Sequence, residues 1–305
     1  MWKKTIRLAA RLALAAALFT MAGSVVAQDY GDADPLDGKL LSFIQPSEPC
    51  FADWISPISN PVFFEDPRTL TEARAIFLHH EVPQAAGGGD IQLYALQLRL
   101  ALSDRLSIIA TKDGYAVSSN PLIRDGWGDI GGGLKYNLIR NVEQERLLSA
   151  GVTYETPSGS PRTLQGNGSG EFNFFLTGGI EIADDWHWLS DAGFRIAANN
   201  NEESSSFYWS NHLDRRFAGC WYGIAEFNWF HWVANGEGGI PGVEGVDLFN
   251  FGSSGVAGND IVTGAFGLKY KPSFDYEIGA AWEIPLTERE DVFENRLNVN
   301  FIRRF

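Results

Sequence analysis

The sequence predicts an all-β protein, a transmembrane antiparallel up-and-down β-barrel of about twelve strands (about 10 to 14), preceded by an irregular N-terminal segment. Three observations predict it. The chain opens with an export leader. Beyond residue 71, apolar and polar residues alternate with a period of two over segments of about ten residues. The connections between those segments are alternately short and long for most of the chain.

The leader comes first. Lys3, Lys4, Arg7 and Arg11 precede an apolar run from Leu12 to Ala22, and small residues follow as far as Ala27. A basic start, a short apolar middle and a small-residue exit describe a signal peptide over residues 1–27. Nothing after Ala27 supplies the roughly twenty consecutive apolar residues of a spanning helix. Of 24 Lys and Arg, four lie in the leader; the 20 that remain face 38 Asp and Glu, a net charge of -18. That acidity excludes nucleic acid as a partner, because phosphate binding needs clustered Lys and Arg. The 33 Gly, 10 Trp, 9 Tyr and 21 Phe suit many strands better than helices.

Residues 28–70 form the second region. Pro35, Pro46, Pro49, Pro57, Pro61 and Pro67 break any alternation, while Leu40, Leu41, Phe43, Ile44, Phe51, Trp54, Ile55, Val62, Phe63 and Phe64 supply apolar anchors. So many aromatics predict docking, either as a cap on the periplasmic mouth or inside the lumen. Cys50 in this region and Cys220 in the barrel are the two cysteines, and in an exported chain they permit one disulfide.

The barrel occupies residues 71–305. Tyr94, Leu96, Leu98 and Leu100 alternate with Ala95, Gln97, Arg99 and Ala101; Phe172, Phe174 and Leu176 alternate with Glu171, Asn173 and Thr177. The same rhythm runs through 130–138, 262–270, 276–284 and 295–305, with one step out of pattern at Ile302 and Arg303. Short turns are expected at 103–105, 141–146, 183–185, 214–216 and 271–274. Longer loops are expected at 113–126, 157–170, 198–206 and 233–259. Segments of this length, with aromatics near their ends, separate a membrane barrel from a soluble sandwich.

The polar faces carry both signs of charge. Arg99, Lys135, Arg195, Lys269, Arg296 and Arg304 stand against Asp129, Glu155, Glu181, Asp191, Glu226, Glu277, Glu283 and Glu294 as residues expected to line the lumen. They either line an aqueous path or pair across strands and fill a narrow interior. Loop 233–259 holds Ile240, Val243, Val246, Leu248, Phe249 and Phe251, an apolar content suited to packing on the rim or folding over the mouth.

No motif predicts chemistry. None of His79, His80, His187, His212 and His231 has Ser two positions later, as a barrel phospholipase requires. No CxxC or CxxH spacing points to a metal, and His79, His80 and Glu81 cannot converge from one strand. Glu244, Asp247 and Asp260 read as solvated loop charge, their spacing being unlike an EF-hand. No cofactor, metal or catalytic residue is therefore expected.

Two resemblances complete the reading. The last strand, Asn295 to Phe305 with alternating apolar residues through Phe301 and a terminal Phe305, resembles the C-terminal signal of outer-membrane barrels. This implies recognition by the barrel-assembly machinery and residence in outer-membrane lipid of a Gram-negative-type envelope. The segment Gly126-Trp-Gly-Asp-Ile-Gly-Gly-Gly-Leu-Lys-Tyr-Asn-Leu138, with the hairpin Ala101 to Ser107 before it, resembles the outer-membrane proteins named for a MetA pathway of phenol degradation. That family is similar to hydrophobic-compound channels, which implies passive passage of small apolar or aromatic solutes. A non-conducting structural or adhesive barrel is the alternative, and an outer-membrane hydrolase the third.

Overall fold

The computed structural model describes residues 43–305, so residues 1–27, expected to be a signal peptide, and Leu40 and Leu41 lie outside the described residues. Twelve antiparallel strands close into a barrel: β1 (Glu72–Glu81), β2 (Asp90–Ala101), β3 (Leu106–Lys112), β6 (Ile130–Asn141), β7 (Arg146–Thr156), β8 (Glu171–Ala183), β9 (Trp186–Ala197), β10 (Ser205–Ala218), β11 (Trp221–Ala234), β12 (Asp260–Ser273), β13 (Tyr276–Pro285) and β14 (Asn295–Arg304). Two short strands, β4 (Tyr115–Ser118) and β5 (Gly126–Trp127), extend the wall beyond β3 and β6. Pairing of β1 with both β14 and β2 closes the ring.

Both ends of the barrel chain, Glu72 and Arg304, lie at the short-turn end and pair with each other. The turns there are tight, though two fall later than the sequence reading places them: β12 runs through Ser273, so the turn expected at 271–274 lies at Phe274 and Asp275. Residues 214–216 are strand, and β10 continues to Ala218 because Arg215 and Arg216 pair with Gly223 and Tyr222; the turn falls at Gly219 and Cys220. A further difference is at Ile302 and Arg303, where alternation does not break. Ile302 points inward and is fully buried, while Arg303 points outward over the ring of Tyr276 at 4.2 Å. The chemistry departs from the pattern there but the pleat does not.

The outer face is apolar. Leu96, Leu134, Leu138, Phe174, Leu176, Phe266 and Trp282 stand exposed on strands around the ring, a surface that lipid must cover. Aromatic pairs such as Tyr115 with Trp127 and Trp221 with Tyr270 sit toward the strand ends. The inner face is largely polar and almost wholly buried, because the chain preceding β1 fills one end of the space inside and the loop between β11 and β12 fills the other.

Candidate functional site

Residues 44–71 enter the barrel from the short-turn end, turn inside it and return to begin β1. At the rim, the Gln45 amide donates to the Ala101 carbonyl at 2.8 Å, and Ser47 Oγ donates to the Thr71 carbonyl at 2.8 Å. The innermost turn is Asn60-Pro61. Asn60 adopts a left-handed φ of 47°, which Asn tolerates, and its carbonyl accepts the amides of Phe63 and Phe64. Apolar anchors hold each stage. Trp54 packs with Phe51, Phe64, Leu147 and Leu189; Ile55 and Ile58 pack with Tyr222, Ile224 and Ala281. A Cβ at Gly179 would collide with the Trp54 ring, so glycine at this inward position makes room for the entering chain.

Polar groups of the wall satisfy the backbone of this segment, which has no strand partner of its own. Glu226 accepts the amides of Ile58 at 2.9 Å and Ser59 at 2.6 Å, Glu277 accepts the Ser56 amide at 3.1 Å, and Asp191 accepts the Glu65 amide at 2.9 Å. Asn137 and Ser149 donate to the Pro67 carbonyl, and Lys269 to that of Ser56. Charges pair in the same layer. Glu65 meets Arg99 and Lys135; Glu72 meets Arg74, Arg99 and Arg304; Glu277 meets Lys269 and Arg304. All of these side chains are buried, so each carboxylate depends on its partner for solvation.

The long-loop end is filled from the other side. Loop residues Val246, Leu248 and Phe249 are buried within the barrel, and Asp247 pairs with Arg296, which also holds Glu283. Val246 and Phe63 share one apolar cluster with Ile109, Phe175, Tyr208 and Phe293, so the loop and the entering chain meet. Arg195 donates to the Val246 carbonyl at 3.0 Å. Glu244 and Asp247 are thus buried ligands of backbone and Arg296 rather than solvated charge; Glu244 accepts the amides of Phe251 and Ser253, and burial raises its carboxyl above the usual range. Glu203, in the neighbouring loop, is raised to about 7 by burial and by the facing Glu171.

Beneath the loop the inner wall changes character. The inward residues of β1 and β2 run from Glu72, Arg74, Arg99 and Gln97 near the short-turn end to Ile76, Leu78, Leu93 and Ile91 near the loops. Ile76, Ile91, Leu93, Ala95, Ala116, Leu248 and Phe249 line a cavity whose polar margin is Gln97, Thr111, Lys112 and Asp113. At that margin the wall is interrupted. Pairing of β2 jumps from Leu98 with Ala110 to Tyr94 with Tyr115, leaving one extra residue on the β3–β4 side. Asp113 Oδ1 takes the Leu96 amide at 2.9 Å, and Gly128 donates to the Gly114 carbonyl at 2.8 Å.

The charges singled out from sequence therefore fall in several places. Arg99, Lys135, Asp191, Arg195, Glu226, Lys269, Glu277, Glu283, Arg296 and Arg304 are inward and buried. Glu155 pairs with Lys112 near the cavity margin, and Asp129 braces a loop by accepting the amides of Gly159 and Gly166. Glu181 and Glu294 are exposed, at the short-turn rim and just before β14. Phe301 and Phe305 face outward on and just after β14, Phe305 being mostly exposed. Cys50 and Cys220 are unbonded; Cys50 lies beside Glu48 and Arg140, and Cys220 in the β10–β11 turn.

One buried array escaped the sequence reading. His212 faces Glu226 through Nδ1 at 2.6 Å and Asp214 through Nε2 at 3.1 Å, and the second oxygen of Asp214 meets His187 Nδ1 at 2.8 Å. The signal was present: His212 and Asp214 are two apart and share a face. His187 joins them only through the β9–β10 register.

No family model matches the sequence, and no curated protein matches it. Among solved structures, an outer membrane channel from Pseudomonas putida F1 aligns over 83% of this chain and 100% of its own, with TM-score 0.57 and 14% identity. The NanC porin aligns over 77% and 99% with TM-score 0.48 and 7% identity, and the KdgM porin over 76% and 99% with TM-score 0.45 and 12% identity. The first likeness shows a common fold. Together with the closed ring and its apolar exterior, it shows the fold of an outer-membrane β-barrel.

Proposed function

We propose that the protein is a passive outer-membrane channel for small apolar solutes, aromatic ones included, and not an enzyme. The observation that carries this reading is the apolar cavity of Ile76, Ile91, Leu93, Ala95, Leu248 and Phe249, which lies beyond the charged layer that fills the short-turn half of the barrel. A solute that enters from the loops and sheds water there gains burial worth about 25 cal/mol per Å² of apolar surface. Its onward path is toward the wall interruption at Asp113 and Gly114, beyond which lies lipid, because the periplasmic path is filled by residues 51–70. No cofactor takes part, and the gradient alone drives flux.

The test is uptake of a small aromatic hydrocarbon by cells lacking the gene and complemented with wild type or with Ala95→Trp, whose indole fills the cavity. Wild type restoring uptake, with Ala95→Trp failing at equal surface level, supports the reading. Equal uptake with and without the protein would leave the barrel structural.

A further inference from the structure

We propose a divalent-metal site, fitted to zinc, at the periplasmic rim, formed by Glu145, Glu181 and His187. The inference does not rest on the channel reading. One ligand atom from each of the three residues lies within 4.8 Å of the others. Three parts of the wall bring them together: Glu145 from the β6–β7 turn, Glu181 from the end of β8 and His187 from the start of β9. The Glu181 amide donates to the Glu145 carbonyl at 3.2 Å, and Glu181 pairs with His187 across the sheet.

His187 carries the argument. Its ring is 1% exposed, and Nδ1 is held by Asp214 Oδ1 at 2.8 Å. A carboxylate only accepts, so Nδ1 bears the proton and Nε2 presents its lone pair. Nε2 has no hydrogen-bond partner among the described residues. A carboxylate behind a histidine whose other nitrogen is free is the usual support of a zinc-bound imidazole, fixing its tautomer and raising its basicity. Asp214 is itself anchored through His212 to Glu226. One imidazole and two carboxylates leave a fourth, tetrahedral position for water. The carboxylate arms need to close toward ligand spacings of about 3.3 Å. Glu181 is exposed and gives periplasmic ions a way in, while Glu145 already accepts the Trp54 indole N–H at 3.0 Å, so bound metal would tie three wall segments together beside the entering chain.

The experiment titrates tag-free, detergent-purified full-length barrel with Zn²⁺ against a chromophoric chelator. The variants are Glu181→Gln, His187→Gln and Asp214→Asn, with heat-modifiable gel migration to verify folding. One Zn²⁺ per chain is expected, with affinity at least tenfold weaker in Glu181→Gln and His187→Gln. Asp214→Asn, changing a positioning residue, should weaken it by about 10- to 100-fold. Glu181 is exposed and makes no side-chain hydrogen bond among the described residues, so its variant keeps the barrel intact and the test decisive. Failure of wild type to bind Zn²⁺, or binding unchanged in Glu181→Gln and His187→Gln, overturns the proposal.

Discussion

Arg195 on β9 stands 5.6 Å over the ring of Phe63 on the entering chain while its guanidinium donates to the carbonyls of Val246 and Phe249 in the long loop. One buried cation thereby joins the two segments that fill the barrel from opposite ends. Replacing it should loosen both. Charge-assisted hydrogen bonds contribute about 1.5–3 kcal/mol each, and a desolvated cation–π contact up to about 2 kcal/mol. Arg195→Ala is therefore expected to raise amide exchange in residues 243–251 and around Phe63 together, by tenfold or more. Exchange rising in the loop alone would show that the two segments are not coupled.

Glu65 is the principal electrostatic anchor of the entering chain, with Arg99 and Lys135 on one carboxylate. Removing one member of a buried ion pair strands the others and costs about 3–5 kcal/mol. Arg68, 2% exposed, offers trypsin a site that the fold hides. Glu65→Ala should expose it, and N-terminal sequencing after limited digestion should find cleavage at Arg68 in the variant while wild type resists.

Trp54 and Gly179 are matched in size. Trp54→Ala leaves a cavity among Phe51, Phe64, Leu147 and Leu189 and should cost about 3–5 kcal/mol. Gly179→Leu, which places a side chain where the indole sits, should destabilise comparably. Either variant should lower the temperature at which the barrel loses its compact gel mobility, and the double variant by less than the sum.

Loop order should depend on pH through Glu203. Burial and the facing Glu171 raise its carboxyl from 4.5 to about 7, so the folded loop holds a proton that the opened loop releases. An acid with a raised folded-state pKa favours the closed form at low pH, and that preference is lost as pH rises from about 4.5 to 7. Protection factors in residues 198–206, corrected for intrinsic exchange, should be higher at pH 5 than at pH 8. Glu203→Gln, neutral throughout, should flatten the difference.

Much of the fold was legible in the sequence because a barrel in lipid imposes one rule on every strand. Leu96, Leu98, Phe172 and Phe174 must face out, so their polar neighbours must face in. The turn after β10 was misplaced since Asp214, Arg215 and Arg216 look like turn residues, and only their cross-strand partners keep them in the strand. The inward apolar patch was hidden for a related reason. Ile76, Leu78, Ile91 and Leu93 face in while Phe77 and Tyr94 face out, so both faces are apolar and the alternation carries no information there. Nor does period reveal what fills a lumen. That Glu226 meets Ser59, or that Glu145 and His187 stand together, depends on contacts between residues far apart in the chain.

In the proposed channel the aqueous path is closed by residues 51–70 and the apolar cavity opens to the wall. Single-channel recording in planar bilayers, comparing the full chain with one lacking residues 44–70, tests this closure most directly. No steady open-pore current is expected from the full chain and ohmic steps are expected from the shortened one, with heat-modifiable migration showing that both are folded. Steady current from the full chain would contradict the closure.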